Sequence, residues 1–573
     1  MADFFADTAL FAACVLAVTL LVKPLGLYIA GVFEGKIKVF RRLEDAIYLF
    51  SGIESGEETT WGSYAASMLL FNFLGIIALF IILVFQRYLP LNPQGFGGFS
   101  WDLAVNTAVS FVTNTNWQAY SGEGLASYFT QMAGLAVQNF LSAATGICVA
   151  IALIRGISRH SEGTIGNFWV DVTRCVLYIL LPGAFLGAVF LLSQGVIQNF
   201  GAYVDSSLVE PYVSADGSVI AGQVLPMGPV ASQEAIKEFG TNGGGFFNAN
   251  AAHPFENPTP LSSLFEVLLI LLIPFSLAYT FGYMVGDTKQ GWVIFAAMML
   301  FFVAAFSFGY FFEKEGNSLI GGANVSGEYL EGKEVRFGVG ESILYATATT
   351  ATSTGAVNTM HDSLTPLGGM VPMVLILLGE ICPGGVGSGI YTILPYVIIA
   401  VFVAGLMVGR TPEYMGKKID AFDMKYSVVI VLVPPILVLL LSAAALLVPE
   451  ATASIYNGGP HAVSEVLYAW ASMSNNNGSA FGGINANTLF YNIFGAVAML
   501  LGRFVPAVAA LALAGSMVKK KHYASTDVLK TNTLTFIVWL VIVILLLDTI
   551  SFLPALGLGP VIEHLIMLSG GVF

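Results

Sequence analysis

The chain has 573 residues, of which 56% are hydrophobic and only 10% are charged. A soluble domain carries about 25% charged residues, so this composition excludes an ordinary soluble protein and indicates one that resides in a lipid bilayer. The formal net charge of -13 excludes nucleic-acid binding as the main function, because nucleic-acid-binding surfaces are basic.

Ten apolar stretches are long enough to cross a bilayer, which takes about 20 apolar residues in a helix. In chain order they are 5–33, 61–88, 125–157, 168–195, 261–286, 290–312, 366–409 (interrupted), 426–449, 484–517 and 532–552. The first stretch is too long for a cleaved signal peptide, and it begins among acidic rather than basic residues. We therefore predict an all-α, multi-pass membrane protein with about ten transmembrane helices.

Basic residues predict the orientation of these helices. Most of the 23 lysines and arginines lie in alternate loops, around 36–42, 155–159, 289, 410–425 and 519–530. Cytoplasmic loops carry such an excess, so both termini are predicted on the outer side. The outer loops are acidic, which would raise the local cation concentration. They are equally compatible with ordinary solvated loops.

Four short polar stretches interrupt the apolar pattern and are the main candidate site. They are rich in uncharged oxygen atoms and in glycine, whose backbone reaches conformations closed to other residues. The candidate ion-binding residues are Thr113, Asn114, Thr115, Asn116, Thr241, Asn242, Gly243, Gly244, Thr352, Ser353, Thr354, Gly355, Asn475, Asn476, Asn477 and Gly478. Four oxygen-lined turns between hydrophobic helices predict a ring around a cation path.

The four turns divide the chain into repeats when Asn116, Gly244, Gly355 and Gly478 are taken as equivalent points. Each repeat reads as a long helix, a short pore helix, a polar turn and a second long helix. The predicted units are 61–160, 161–289, 290–425 and 426–525, with 1–60 and 526–573 as an extra helix at each end.

The short helix before each turn is predicted to begin with a serine cap and an acid. The candidate starts are Ser100 with Asp102, Ser232 with Glu234, Glu341 with Ser342, and a segment near Pro460 and Glu465. Serine favours the cap position, and an acid in the first turn complements the helix dipole. The C-terminal end of each helix, with about half a negative charge, would then face the cation path.

The seventh apolar stretch contains a break that we interpret as a candidate gate. Proline and several glycines cannot remain helical at low cost, and non-helical backbone at membrane depth must lie against protein or water. The candidate gate residues are Glu380, Pro383, Gly384, Gly385, Gly387, Ser388, Gly389 and Arg503. Glu380 is either functional or a satisfied structural acid. Arg503 either limits ion passage below the turns or pairs with an acid such as Glu380.

One further pair, His361 and Asp362, follows the third turn. It could suggest a metal or acid–base site. An aspartate just before a helix is more often a cap, and that is the interpretation we adopt.

Five segments carry a resemblance to a known family: 113–122, 239–260, 354–362, 384–389 and 474–480. Together they resemble the potassium-binding subunits of the Kdp potassium-transporting ATPases (KdpA), within a superfamily that includes the Trk and Ktr transporters. The resemblance implies a prokaryotic inner-membrane protein with a four-unit fold, a K⁺ filter at the turns, K⁺ as the transported ion and no organic cofactor. It also implies a P-type ATPase partner (KdpB) and single-span partners (KdpC, KdpF) in a lipid membrane.

Sequence motifs for ATP hydrolysis are missing from the chain. It has neither the Gly-x-x-x-x-Gly-Lys phosphate loop nor the Asp-Lys-Thr-Gly of phosphorylated pumps. We therefore predict a non-catalytic subunit that selects K⁺ for an ATP-driven uptake complex. The alternative is a stand-alone Trk/Ktr-type channel or ion-coupled symporter, and the turns alone do not separate the two.

Overall fold

The computed structural model describes residues 2–214, 216–317, 319, 329–379, 381–522 and 529–571. Glu380, one of the candidate gate residues, lies outside the described residues.

Ten helices in the described ranges are long and apolar enough to cross a membrane, which confirms the predicted all-helical fold and the number of spans. They are Phe4–Phe33, Trp61–Tyr88, Thr130–Ser158, Phe168–Gln194, Pro260–Met284, Thr288–Glu315, Ser388–Val408, Ala421–Leu447, Leu489–Lys519 and Leu534–Leu568. The last is longer than predicted, because the helix continues through a π-helical kink at Gly557–Val561. Two other spans include π-helical turns, Thr130–Ala136 and Cys175–Leu180.

Shorter elements connect the spans. Four pore helices, Trp101–Val112, Val230–Phe239, Gly338–Ala351 and Gly459–Ser474, each end at a polar turn. The remaining short helices are Arg41–Ser51, Gly122–Leu125, Asn250–Ala252, His361–Ser363, Pro366–Leu377 and Pro449–Thr452. An antiparallel hairpin, Val204–Val213 with Val219–Leu225, precedes the second pore helix, and Glu413–Tyr414 pairs with Lys417–Lys418.

The centre of the molecule is built by the span that follows each polar turn. In each of these four spans, between 67% and 89% of an apolar stretch of 18 residues is buried. They are Thr130–Ser158, Pro260–Met284, Ser388–Val408 and Leu489–Lys519. The other six spans are between 17% and 44% buried. An apolar helix surface that is not covered by protein suits contact with lipid. The four inner spans therefore surround the polar turns, and the other six form the periphery.

The predicted starts of the pore helices are only partly right. Ser100 stands at the N-cap of the first pore helix, but its side chain makes no cap hydrogen bond, and Asp102 lies in the first turn. The second pore helix begins at Val230, so Ser232 lies inside it and pairs with Gln198 instead. The caps of the other two are Phe337 and Gly458.

The cap interpretation of Asp362 is wrong. The helix that follows begins at Pro366, and its cap is Thr365, whose side chain accepts a hydrogen bond from the backbone of Gly368. The backbone N–H of Asp362 donates to the carbonyl of Phe481 at 3.0 Å, so Asp362 is held beside the fourth repeat.

Candidate ion-binding site

The four polar turns have the same backbone conformation. In each, the first residue after the pore-helix cap has a positive φ: Asn114 at 65°, Thr241 at 44°, Ser353 at 54° and Asn476 at 54°. Two residues later φ is positive again: Asn116 at 55°, Gly243 at 67°, Gly355 at 89° and Gly478 at 94°. Positive φ is uncommon outside glycine, so a repeat of this pattern in four places identifies four copies of one local structure.

The second turn differs by one residue from the predicted register. Gly243, rather than Gly244, occupies the position of Asn116. Contacts between the first two turns keep this register, since the amide groups of Asn114, Asn116 and Gln118 donate to the carbonyls of Thr241, Gly243 and Gly245 at 2.8, 3.1 and 3.2 Å. The run of three glycines at 243–245 hides this register in the sequence.

The turns contact one another in cyclic order. Three glycines lie so close to a backbone oxygen of the following turn that an added Cβ atom would overlap it. The distance from that Cβ to the oxygen would be 1.9 Å from Gly243 to Thr354, 2.2 Å from Gly355 to Asn477 and 1.7 Å from Gly478 to Thr115. The fourth contact is the hydrogen bond from Asn116 Nδ2 to the Gly243 carbonyl, at 3.1 Å. The second turn thus meets the third, the third the fourth, the fourth the first, and the first the second, which is a closed ring.

Several side chains of the ring bond to one another. Thr113 and Thr115 share a hydrogen bond of 2.8 Å between their hydroxyls, and the equivalent Thr352 and Thr354 share one of 2.7 Å. Asn476 Nδ2 of the fourth turn donates to Thr115 Oγ1 of the first turn at 2.9 Å. All the candidate residues are buried except Gly478, which is half-buried. The ring is therefore a rigid, uncharged oxygen-rich structure at the ends of four helices.

The break in the seventh apolar stretch lies directly against this ring. One helix ends at Leu377 and the next begins at Ser388. Between them, the backbone N–H of Val386 donates to Thr241 Oγ1 at 2.9 Å, and that of Gly384 donates to the Ala351 carbonyl at 2.8 Å. The candidate gate residues 383–389 are thus held by the second turn and by the end of the third pore helix.

The segment 381–389, which we call the intramembrane loop, is tightly folded. A Cβ atom at Gly387, where φ is 86°, would lie 2.0 Å from the carbonyl oxygen of Gly146 on a central span. A Cβ atom at Gly389 would lie 1.8 Å from the Pro383 carbonyl oxygen. Only glycine fits at these two positions, because any side chain would displace backbone.

Arg503 lies in the interior, next to the ring. The residue is 5% exposed and lines a small cavity of about 30 Å³ together with Asn475 and Asn476 of the fourth turn and Ser388 of the intramembrane loop. Its Nη2 atom has no hydrogen-bond partner among the described residues. A buried positive charge thus shares a cavity with the ring and the loop.

Comparison with known proteins identifies the family. The model of the family "Potassium-transporting ATPase A subunit" (KdpA) matches residues 12–565. The chain belongs to this family. Among its relatives, the potassium-transporting ATPase potassium-binding subunit of Geobacter metallireducens is 56% identical, over 98% of this chain and 99% of the relative. The protein of the same name from Hydrogenobaculum sp. is 54% identical over 96% of each chain.

A solved structure agrees with the fold. The crystal structure of the potassium transporter TrkH from Vibrio parahaemolyticus is similar to this KdpA-family chain with a TM-score of 0.52, over 85% of this chain and 96% of that one. The identity is 15%, so the likeness shows the fold alone. The predicted resemblance to the KdpA family and the predicted fold class are both confirmed.

Sequence reasoning missed a buried charge cluster behind the second turn of this KdpA-family chain. Lys237 Nζ pairs with Glu256 at 2.6 Å and with Glu234 at 2.8 Å, and it also donates to Asn250 Oδ1 at 2.9 Å. The other oxygen of Glu256 accepts from the backbone of Phe247 at 2.6 Å. The cluster therefore ties the second pore helix to the loop that follows the second turn. The spacing of Glu234 and Lys237, three residues apart on a helix, was the only sequence signal for it.

A second part of this cluster joins the second and third pore helices. The hydroxyl of Tyr345 lies 3.1 Å from a carboxyl oxygen of Glu238 and 3.1 Å from one of Glu266. All three side chains are buried. A tyrosine hydroxyl has one proton to donate, so the second carboxyl group must donate its own proton to the tyrosine oxygen to complete both hydrogen bonds.

Replacing the arginine in the cavity should change cation occupancy. In Arg503→Gln the side chain stays polar but the charge is lost, so a cation in the same cavity is no longer repelled. At an effective dielectric constant of about 20, a unit charge about 6–12 Å away is worth about 1.4–2.8 kcal/mol, which corresponds to roughly a tenfold to hundredfold rise in cation affinity. Arg503→Lys keeps the charge and should stay close to the wild type. The measurement is the K⁺ dependence of the purified complex, and equal K⁺ dependence for the two variants would contradict this role.

Proposed function

We propose that this chain is the potassium-binding subunit of an ATP-driven potassium uptake complex, and that K⁺ binds within the ring of four polar turns. The observation that supports this most is the closed ring itself, with one backbone conformation repeated four times. The relatives carry the name potassium-transporting ATPase potassium-binding subunit.

The proposed site suits a dehydrated monovalent cation. Moving a cation from water into a low-dielectric interior costs tens of kcal/mol, so protein oxygens must replace its hydration shell. Four pore helices end at the ring, and together they contribute about two negative charges without an ionised side chain. The proposed ligands are backbone and side-chain oxygens of the candidate residues in the four turns. Two amide oxygens, Asn116 Oδ1 and Asn242 Oδ1, are buried without a hydrogen-bond partner among the described residues.

The intramembrane loop is the proposed gate. It bonds to the second turn through Thr241, and it borders the cavity that Arg503 lines together with the fourth turn. A change in the conformation of the loop would therefore affect both the second and the fourth turn. K⁺ would leave the ring through this region. The route beyond the cavity leads, in this proposal, to a P-type ATPase subunit (KdpB) that hydrolyses ATP, with the single-span subunits KdpC and KdpF alongside. The complex would lie in the prokaryotic inner membrane, with both termini of this chain on the outer side.

Purification of the intact assembly tests the proposal. The chain carries an affinity tag and is extracted in mild detergent, and both ATPase activity and K⁺ binding are measured. The expected result is K⁺-stimulated ATPase activity that stays with this chain through purification, together with ion density within the ring. A chain that transports K⁺ without any co-purifying ATPase would instead support a Trk/Ktr-type channel or symporter. Absence of ion density from the ring would remove the proposed site.

Shortening the intramembrane loop should separate flux from binding. Deletion of Gly384 and Gly385 removes the backbone donor to Ala351 and loosens the loop from the third pore helix. We expect K⁺ flux through the complex to change severalfold, while equilibrium K⁺ binding at the ring stays within about twofold, because no proposed ligand is removed. Flux is measured in proteoliposomes and binding by calorimetry. Lost binding with normal flux would contradict the gate.

A further inference from the structure

A histidine and three carboxylates, none of them a residue of the ring, meet where the segment after the third turn, the fourth pore helix and the C-terminal helix come together. Asp362 follows the third turn, His461 and Glu465 lie on the fourth pore helix, and Glu563 lies on the C-terminal helix. His461 Nε2 lies 2.9 Å from Asp362 Oδ1 and 3.8 Å from Glu465 Oε1. Its other nitrogen, Nδ1, lies 2.7 Å from Glu563 Oε1.

We propose that Asp362, His461 and Glu465 bind a divalent transition-metal ion of the Zn²⁺ class, with Glu563 orienting the imidazole. One nitrogen and two carboxylate oxygens, all within 4.8 Å of one another, are a ligand set that Zn²⁺ accepts in proteins. A single ion can contact all three once these atoms move to the separations of about 3.3 Å that bonds of about 2 Å in tetrahedral geometry require. Metal binding does not depend on the proposed potassium function.

The second nitrogen of the histidine supports this assignment. A metal-binding histidine nearly always directs its other ring nitrogen to a carboxylate or carbonyl, which fixes its tautomer and orientation. Glu563 supplies that carboxylate at 2.7 Å. Nε2 faces the two remaining carboxylates and lies within hydrogen-bond distance of Asp362 Oδ1, at 2.9 Å, so a bound ion would take the place of the proton between them.

The surroundings also leave space for these carboxylates. A Cβ atom at Gly483 would lie 1.6 Å from Glu465 Oε1, and one at Gly482 would lie 2.8 Å from Asp362 Cβ. Glu465 is fully buried; its Oε1 atom accepts a hydrogen bond from Asn457 Nδ2 at 2.5 Å, and its Oε2 atom has no hydrogen-bond partner among the described residues. Burying a carboxylate without a full set of partners is costly, and a cation would offset that cost.

Access and coordination number favour a site with one open position. His461 and Asp362 are partly exposed, at 17% and 19% of their side-chain surface, so an ion can enter from solvent. Three protein ligands leave the fourth tetrahedral position to water. A bound ion would connect the segment after the third turn to the fourth pore helix.

The test uses the whole complex, purified through a tag without histidine and stripped with a chelator. Zn²⁺ alone is titrated, and bound metal is counted by elemental analysis after gel filtration. A Co²⁺ titration adds a visible absorption spectrum that reports tetrahedral coordination. We expect one ion more in the wild type than in His461→Ala, which also corrects for metal held by other subunits. Asp362→Asn should weaken binding more than about tenfold, and Glu563→Gln, which keeps all three ligands, about tenfold to a hundredfold.

His160→Ala is the matched control, because His160 is exposed and lies away from the proposed ligands, beside His522. It should bind metal as the wild type does. The proposal is overturned if the wild type binds no more Zn²⁺ than His461→Ala, or if Asp362→Asn and Glu563→Gln both bind as tightly as the wild type. Because Glu563→Gln leaves the ligands in place, it is informative even if a ligand variant fails to fold. Failure here would leave ATPase co-purification and ion density in the ring unaffected.

Discussion

Gly478→Ala is expected to abolish potassium uptake at low external K⁺. A Cβ atom at this position would lie 1.7 Å from the backbone oxygen of Thr115, and φ is 94°, where residues with side chains are strained. The overlap is with backbone, so no side chain can move aside, and the fourth turn must separate from the first. An open ring cannot surround a dehydrated ion, and we expect apparent K⁺ affinity to fall by more than about a hundredfold, since each 1.4 kcal/mol costs a factor of ten.

Alanine substitutions at two other glycines serve as controls, because they show whether any glycine-to-alanine change would impair transport. In Gly244→Ala, φ is also positive, at 75°, but the new Cβ would lie 3.1 Å from Gln118 Oε1, the far end of a flexible side chain, and 3.4 Å from the nearest backbone oxygen, so the loss should be smaller. Gly97 is exposed, a Cβ atom added to it would have nothing within 4 Å, and Gly97→Ala should transport normally. Uptake is measured in cells that lack other potassium systems, with complex assembly checked by co-purification. Wild-type K⁺ affinity in assembled Gly478→Ala complex would contradict the ring.

The position of the ring along the chain could be predicted because its chemistry is local. Runs such as 113–116 and 475–478 place uncharged oxygens between apolar helices, and few other structures need that pattern. The break near Pro383 is predictable for the same reason. The register of the second turn was missed because Gly243 and Gly244 are chemically identical, and only the contacts with Asn114 and Asn116 distinguish them.

Contacts between distant segments explain the rest of what the sequence did not show. Lys237 pairs with Glu256 across the second turn, and Tyr345 meets Glu238 and Glu266 from another repeat. His461, the partner of Asp362, lies about 100 residues away along the chain. The residues near Asp362 did not reveal this partner, and Asp362 was therefore interpreted as a helix cap. Residue spacing predicts partners within a helix, whereas these pairs depend on how the repeats pack.

The pore-helix starts show a similar limit. Capping rules describe helices whose first turn must satisfy its own N–H groups. In this protein, the fourth pore helix begins at Gly459 and carries Pro460, which lacks a backbone N–H, in its first turn, and Ser232 bonds to Gln198 from a neighbouring segment. At the second pore helix, Ile197 and Gln198 accept hydrogen bonds from the backbone N–H groups of Val230, Ala231 and Ser232, and so take the place of a serine cap.

Lys237→Met is expected to lower the free energy of unfolding of the subunit by about 3–5 kcal/mol, the cost of removing one partner of a buried ion pair. The side chain is 1% exposed, and it is the cation that faces Glu256 and Glu234, so its loss leaves two buried carboxylates without a positive partner. Methionine has a similar length and keeps the packing. We also expect weaker K⁺ affinity, because Lys237 connects the second pore helix to the loop after the second turn.

Two comparisons make this prediction specific. Lys36→Met removes an exposed pair with Glu34, in which the lysine side chain is 59% exposed, and should cost less than about 1 kcal/mol. The double variant Lys237→Met with Glu256→Gln removes one of the two unpaired charges and keeps an oxygen for the backbone of Phe247, so it should recover part of the lost stability. Unfolding in mixed micelles gives the free energies. If Lys237→Met destabilises the subunit no more than Lys36→Met does, the charge cluster does not hold the second turn in place, and the rigidity of that side of the ring must come from the pore helix and the intramembrane loop.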